Sequence, residues 1–279
     1  MSEKYSLVDS GNQQKLERFG SFLIARPCSQ ALWHPSLPKS QWDRADAQFS
    51  RDGGNAWHYN LKLPESWIAE VEGVRFKIST TDFGHLGVFP EHSLLWKGMQ
   101  EAIRTRKEPP NILNLFAYSG GATLAAASAG ARVCHLDASK GMVAWARENA
   151  ELNRLNAAPI RWIVDDAAKF LTREIKRGVR YDGIILDPPS FGRGSKGEVF
   201  KIERDIHELL DLCHQLLSEH PLFLIFTTHT PGMTPLVMAH LLGQKMKGFR
   251  GKIETGEMIL PSDAGMDIPC GSFARWSAL

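Results

Sequence analysis

Two groups of residues near the middle of the chain have the types and spacing that could bind a nucleotide-like molecule. Residues 118–121 (YSGG) follow the uncharged apolar run 112–116. Small residues let the backbone turn tightly, and free N–H groups at the start of a helix suit a carboxylate or phosphate. Asp137 ends the predicted strand 132–136, where dinucleotide folds place an acidic residue that accepts hydrogen bonds from ribose hydroxyls. The pattern predicts a cofactor pocket.

Two further acidic groups follow at the spacing of successive strand–helix units. Asp165 and Asp166 end the run 160–164, and one of these carboxylates could accept an amino hydrogen of adenine. Residues 187–190 (DPPS) end the run 181–186. The two prolines remove two backbone donors and fix two φ angles, so the chain should leave the strand as a stiff rim with free carbonyls. A flat amine or base could be held at this rim.

A parallel α/β sheet would bring these groups together, because parallel strands deliver their C-terminal residues to one edge, where ligands bind. Each feature alone also has a structural explanation, since a glycine pair can be a packing turn and a strand-end aspartate a helix cap. Their order and spacing favour the pocket. We expect helices at 91–107, 122–129, 167–176, 198–218 and 235–247, and later strands at 222–228, 252–260 and 272–278.

The first part of the chain has a different pattern. Short apolar runs broken by prolines and glycines predict a small β-rich domain at 1–80, followed by a larger domain at 81–279. The runs 67–71 and 74–78 flank Glu72-Gly73 and predict a hairpin. Trp33, Trp42, Trp57 and Trp67 could stack on bases, although such residues more often build a core.

At this point the chain resembles a known family. Residues 114–149 look like the cofactor-binding half of class I S-adenosylmethionine (SAM) methyltransferases. The segments 84–91 (GHLGVFPE), 187–194 (DPPSFGRG) and 271–276 (GSFARW) resemble the large-subunit ribosomal RNA methyltransferase-like group, and 5–27 is similar to the small β-rich domain that precedes the catalytic domain in a subset of that group. The resemblance implies a Rossmann-like sheet, mostly parallel with its last strand antiparallel, and SAM as cofactor with S-adenosylhomocysteine as product.

The resemblance also implies roles for individual residues. The segment 116–120 would surround the methionine part of SAM. Asp137 would bind the ribose and Asp166 the adenine amino group, and residues 89–91 would close over the cofactor. The implied cofactor contacts are Phe89, Pro90, Glu91, Asn114, Phe116, Tyr118, Ser119, Gly120, Asp137, Ala138, Ser139, Asp166, Ala167 and Asp187. The predicted catalytic residues are Asp187, Pro188 and Ser190.

Residues after the Asp-Pro-Pro turn predict contacts to RNA, and the RNA that we expect as partner is ribosomal RNA. Phe191 would be a platform for a flipped base, with packing under its own loop as the alternative. Arg193 and Lys196 would contact phosphates; a solvated glycine-rich loop explains them equally well.

The positions of the cysteines limit which atom of the substrate can accept the methyl group. Methylation of cytosine C5 usually requires a cysteine thiolate that adds to the ring, and in such family members we expect it near the fourth or sixth strand-end motif. In this chain those motifs are DPPS at 187–190 and TTHT at 227–230, and neither contains a cysteine. Cys270 is the remaining candidate for the thiolate. N-methylation is therefore predicted, with Asp187 accepting an amine hydrogen and His229 as a candidate proton acceptor. The alternatives are C5 methylation, a protein or small-molecule amine as acceptor, and an RNA-binding protein without turnover.

The composition agrees with this interpretation. The 279 residues are 43% hydrophobic, enough for a catalytic domain and a smaller one. The net charge of +2 does not by itself indicate a nucleic-acid partner. Four scattered cysteines without a CxxC pair predict a reducing cytoplasm and no metal site. No apolar run approaches the roughly 18 residues of a membrane span. We expect a cytoplasmic protein; a homodimer is one alternative for its oligomeric state.

Overall fold

The computed structural model describes residues 3–194 and 197–279. The chain forms two compact units: residues 1–93 with 259–270, and residues 94–258 with 271–279. The sequence analysis did not predict that residues 259–270 belong to the first unit. Among the described residues, no helix combines the length and apolar character that crossing a membrane requires.

The first unit is rich in β-structure, as the sequence predicts. Strands β1 to β5 form one sheet in chain order, antiparallel except for the parallel pair β3–β4, and β6 and β7 form the predicted hairpin around Glu72-Gly73. The strands are β1 (Tyr5–Gly11), β2 (Gln14–Phe19), β3 (Phe22–Pro27), β4 (Ala47–Ser50), β5 (Ala56–Tyr59), β6 (Trp67–Val71) and β7 (Val74–Ile78), with the short helix α1 (Lys39–Trp42) between β3 and β4.

Tryptophans hold the loops of this unit. The indole N–H groups of Trp33, Trp42 and Trp57 donate to Ser10 O, Asp9 Oδ2 and Thr81 O at 2.8 to 3.1 Å. That of Trp67 donates to the Phe19 carbonyl at 3.0 Å. Because all four bonds stay within the unit, these residues serve its packing, as the alternative to base stacking stated.

The second unit is built on a seven-stranded sheet. Its order is β10-β9-β8-β11-β14-β16-β15; β8 to β11 and β14 are parallel, and β16 runs antiparallel to β14. The predicted Rossmann-like, mostly parallel sheet with an antiparallel last strand is confirmed. Its strands are β8 (Asn111–Leu115), β9 (Arg132–Asp137), β10 (Ile160–Val164), β11 (Gly183–Leu186), β14 (Phe223–Thr228), β15 (Gly251–Leu260) and β16 (Ile268–Ala278).

Helices flank this sheet. A 3-10 helix, Pro90–Leu95, precedes α2 (Trp96–Arg104), and the others are α3 (Gly121–Ser128), α4 (Lys140–Leu152), α5 (Ala167–Lys176), α6 (Ile202–Leu216) and α7 (Pro235–Lys245). The central strands β11 and β14 are buried at every position, as expected for strands covered on both faces. Gly183 is required there, because a Cβ would lie 2.5 Å from the ring of Phe223.

Two predicted helices need correction. The helix expected from Glu198 begins at Ile202, and an antiparallel hairpin of β12 (Phe191–Arg193) and β13 (Val199–Lys201) comes before it. Three glycines, Gly192, Gly194 and Gly197, disfavour a helix in this segment, and Val199-Phe200 favours a strand. The helix expected at 91–107 is divided into the 3-10 helix and α2.

Candidate active site

A strained backbone turn follows β8. Phe116, Tyr118 and Gly120 adopt positive φ angles of 55°, 50° and 96°. A Cβ at position 120 would lie 3.1 Å from the Cβ of Ala146, so glycine lets the turn approach α4 closely. Non-glycine residues with positive φ often mark functional sites. The turn ends in α3, whose first N–H groups suit an anionic group such as a carboxylate.

Asp137 fixes this turn at the end of β9. Its Oδ2 accepts the Tyr118 N–H at 2.9 Å and its Oδ1 accepts the Ser139 N–H at 2.8 Å. Burial raises the pKa of Asp137, and these two hydrogen bonds oppose the rise. Each carboxylate oxygen retains acceptor capacity, so the group can still bind ribose hydroxyls. Ala138 is half-buried beside it, and the Ser139 side chain caps α4.

A polar network lies beneath the turn. Asn114 is buried, and its amide donates to Thr123 Oγ1 at 2.9 Å, which lies 2.9 Å from Nδ1 of His135. Burial lowers the pKa of His135 to about 3, so the ring is neutral. The Asn149 amide donates to the Ser119 carbonyl at 2.9 Å. The Asn114 amide therefore stabilises the turn through Thr123. The contact of Asn114 with the cofactor stays a prediction.

The two aspartates after β10 have different surroundings. Asp165 pairs with Arg173 and accepts the Asp166 N–H at 2.9 Å. Asp166 caps α5 by accepting the Lys169 N–H at 3.0 Å. Asp166, Ala167 and Phe116 line one cavity of about 220 Å³, together with Phe200 of β13. This cavity brings three of the predicted cofactor residues together.

The hairpin β12–β13 contributes residues that the sequence analysis missed. Phe200 packs on Phe116 with ring centroids 5.7 Å apart, and Glu198 pairs with Lys169 of α5. The Val199-Phe200 pair after a glycine-rich turn was the available signal for a strand. The hairpin thus closes one side of the cavity beside Asp166.

The Asp-Pro-Pro-Ser segment is tied to the end of β14 by hydroxyl groups. Thr227 Oγ1 donates to Asp187 Oδ1 at 2.8 Å, and Thr228 Oγ1 lies 3.4 Å from the Pro188 carbonyl. Ser190 Oγ and Thr230 Oγ1 are 2.8 Å apart. The sequence analysis used this threonine-rich strand end for its lack of a cysteine and for His229, although three hydroxyls in four residues signalled a polar contact.

The predicted acceptor-side residues lie near this segment. The half-buried Asp187 has His229 Nδ1 at 3.9 Å from its Oδ1. Phe191 is 49% exposed, and the Arg193 guanidinium carbon lies 5.7 Å from its ring centroid. Phe191 is therefore about half exposed, and its role as a platform for a base stays a prediction. Lys196 lies outside the described residues.

The predicted closing segment, Phe89 to Glu91, belongs to the first unit, whereas the other predicted site residues belong to the second. Glu91 and Pro90 are buried, and the ring of Phe89 contacts those of His85 and His92 at 5.4 and 6.0 Å. Closure of this segment over the cofactor stays a prediction.

Comparison with known proteins identifies the family. Residues 27–235 match the family model of S-adenosylmethionine-dependent methyltransferases. The chain belongs to this family. A solved SAM-dependent methyltransferase from Agrobacterium tumefaciens is 40% identical to this methyltransferase and has a TM-score of 0.95, with 99% of this chain and 90% of that chain covered. A solved methyltransferase complexed with S-adenosylhomocysteine shares the fold, with 22% identity, a TM-score of 0.71 and coverage of 97% and 75%.

A curated relative has a more specific name. It is the ribosomal RNA large subunit methyltransferase K/L of Pseudoalteromonas translucida, 31% identical over 159 residues. The match covers 56% of this chain and 22% of that protein, so the chain spans about a fifth of the length of this relative.

The prediction of SAM as cofactor is confirmed. The positive-φ turn at Phe116, Tyr118 and Gly120 and the half-buried Asp137 carboxylate, whose oxygens keep acceptor capacity, fit such a molecule. When bound, SAM supplies a methyl group on a positively charged sulfur.

Proposed function

We propose that this methyltransferase transfers the methyl group to a ring or exocyclic nitrogen of a base in ribosomal RNA. The ribosomal RNA substrate is supported by the resemblance of the three sequence segments and by the curated relative's name. The preference for nitrogen is supported by the cysteines of the chain.

The positions of the cysteines are the observation that carries the choice of nitrogen. All four, Cys28, Cys134, Cys213 and Cys270, are buried. Burial raises the pKa of Cys134 to about 11 and that of Cys213 to about 12, and it also raises the pKa values of Cys28 and Cys270. A thiol must be a thiolate to attack a ring carbon. These four thiols are therefore poorly suited to the covalent route used for cytosine C5.

A nitrogen acceptor needs positioning rather than a covalent partner. In our proposal the Asp187 carboxylate accepts an N–H of the base, which turns the nitrogen lone pair toward the methyl group. Thr227 holds the carboxylate by its 2.8 Å hydrogen bond. The carbonyls of the Pro188-Pro189 rim and the exposed face of Phe191 would hold the plane of the base, and His229 is the candidate acceptor for the released proton.

Nucleoside mass spectrometry of ribosomal RNA tests the proposal. RNA from a deletion strain should lack one N-methylated nucleoside of its parent, and purified protein with SAM should restore it in vitro. An Asp187→Asn variant, which keeps the shape of the side chain, should restore little. Loss of 5-methylcytidine instead would show that the acceptor atom is carbon, and unchanged RNA would indicate a protein or small-molecule acceptor.

A further inference from the structure

The first unit exposes aromatic side chains next to its edge strand β5. Phe83 is 67% exposed and Tyr59 is 51% exposed. The Tyr59 ring stacks on that of Trp57 with an interplanar angle of 23°, and Trp57 packs on Phe49 with ring centroids 5.1 Å apart. The Tyr59 hydroxyl also lies 3.3 Å from Thr80 Oγ1, in the segment that leads to Phe83. Isolated exposed apolar residues are common, but exposed aromatic side chains on two segments in contact indicate a binding surface.

A cavity of about 160 Å³ opens beside Phe83, and basic side chains line part of it. Its lining includes Lys15, Arg26, Arg51 and His85, with Glu91 as the carboxylate. The fully buried Glu17 binds both Arg26 and Lys15, at 2.6 and 3.0 Å. Among the described residues, the exposed Arg51 guanidinium makes no hydrogen bond or ion pair, so it remains available for an external anion.

The loop that carries Phe83 is held in place. Gly84 lies directly on the Phe49 ring, because a Cβ there would be 2.4 Å from it, and its carbonyl accepts from Arg26 Nη1 at 3.0 Å. Thr81 Oγ1 donates to the His85 carbonyl at 2.9 Å, and the Trp57 indole donates to the Thr81 carbonyl at 2.8 Å. The fold therefore keeps the Phe83 ring in solvent, which lowers the entropic cost of binding a partner there.

We propose that Arg51, Tyr59 and Phe83, here called the Phe83 surface, bind a single-stranded segment of the RNA substrate. Single strands are bound by aromatic rings that stack on bases and by cations that contact the phosphates between them. Asp82 is exposed next to Phe83 in the chain and would repel a phosphate there, so in this proposal the bases face Phe83 and Tyr59 while a phosphate reaches Arg51. The exposed Asp52 beside Arg51 limits this attraction to about one phosphate. Bases paired in an A-form duplex are not available for this stacking.

This inference rests on RNA as the substrate, and fluorescence anisotropy with the full chain tests it. The probe is a labelled mixed-sequence single-stranded RNA of 12 nucleotides, with its duplex for comparison. Phe83→Ala and Arg51→Ala should each weaken single-strand binding about 5- to 100-fold, and Arg51→Ala should also reduce the salt dependence by about one phosphate contact. Leu32→Ala and Arg44→Ala, exposed residues of the same unit, are the matched controls and should bind as the wild type does.

Calorimetry with SAM on the same variants separates this inference from the proposed function. All four variants should keep wild-type SAM affinity and folding. Equal RNA affinity of Phe83→Ala, Arg51→Ala and the controls would overturn the Phe83 surface while leaving RNA methylation untouched. Preference for the duplex, or binding of neither RNA, would also overturn it. If the wild-type protein bound single-stranded RNA but transferred no methyl group to RNA, the result would count against the proposed function alone.

Discussion

Thr227 Oγ1 lies 2.8 Å from Oδ1 of Asp187, although the two residues are 40 positions apart in the chain. The contact follows from strand register, because Leu186 of β11 pairs with Phe226 of β14 and the next residue of each strand carries a polar group. A parallel pair thus places a hydroxyl beside the carboxylate that we assign to the acceptor base.

This contact predicts that Thr227→Val, which keeps the side-chain shape, lowers kcat. Loss of a hydrogen bond to a charged group costs about 1.5–3 kcal/mol, so we expect a decrease of about tenfold to 100-fold with little change in SAM affinity. Thr227→Ser should retain most of the rate. Steady-state methyl transfer measures both, with Thr172→Val on the surface of α5 as control. A Thr227→Val enzyme with wild-type kcat would show that the hydroxyl does not position Asp187.

Asp137→Asn should weaken SAM binding by about tenfold or more, since an amide replaces a carboxylate that receives two backbone N–H groups and that we predict to bind the ribose hydroxyls. Isothermal calorimetry gives the affinity, and thermal unfolding shows whether the turn survives. Asp211→Asn on α6 is the matched control, because the Asp211 carboxylate pairs with Lys245 and has no predicted role at the cofactor site. If both variants had the same SAM affinity, Asp137 would not be a cofactor ligand.

Acid should destabilise the protein partly through Glu17. Burial alone would raise the pKa of this carboxyl, but Arg26 and Lys15 outweigh burial and the pKa is lowered. A lowered folded-state pKa gives stability that is present above the unfolded value, about 4.3, and is lost as pH falls through the folded value. Urea unfolding between pH 6 and pH 3 should therefore show a smaller loss for Glu17→Gln than for the wild type. Parallel curves for the two proteins would refute the assignment.

Glu17→Gln should also lower the free energy of unfolding at pH 7 by about 3–5 kcal/mol, because it leaves buried Arg26 without its ion pair.

The thiols should be unreactive in the folded protein. All four are buried, so titration with a disulfide reagent at pH 8 should show almost no fast reaction, and four equivalents should react after denaturation. Each Cys→Ser variant identifies any thiol that reacts. Fast modification of Cys270 would revive the covalent route to cytosine C5, against the proposed nitrogen chemistry.

Local signals in the sequence were sufficient for the main elements of the fold. Helix α5 begins and ends where predicted, at Ala167 and Lys176, because Asp166 caps it and its apolar residues recur at helical spacing. The hairpin at 67–78 was likewise visible, since two short apolar runs flank a turn. The glycine turn and Asp137 could be assigned to one edge because parallel strands end at the same side of a sheet.

Contacts between distant segments decided the rest. That the Asn114 amide binds Thr123 beneath the turn, that Thr227 reaches Asp187, and that 259–270 joins the first unit all depend on how separate elements pack. The hairpin at 191–201 was missed because a glycine-rich segment has weak local preference, and pairing between β12 and β13 sets its structure. The sequence alone therefore determined the types and order of most elements and the polar residues at the strand ends, whose signals lie a few positions apart. Only the tertiary structure decided which side chains meet, because strand register and packing join residues far apart in the chain.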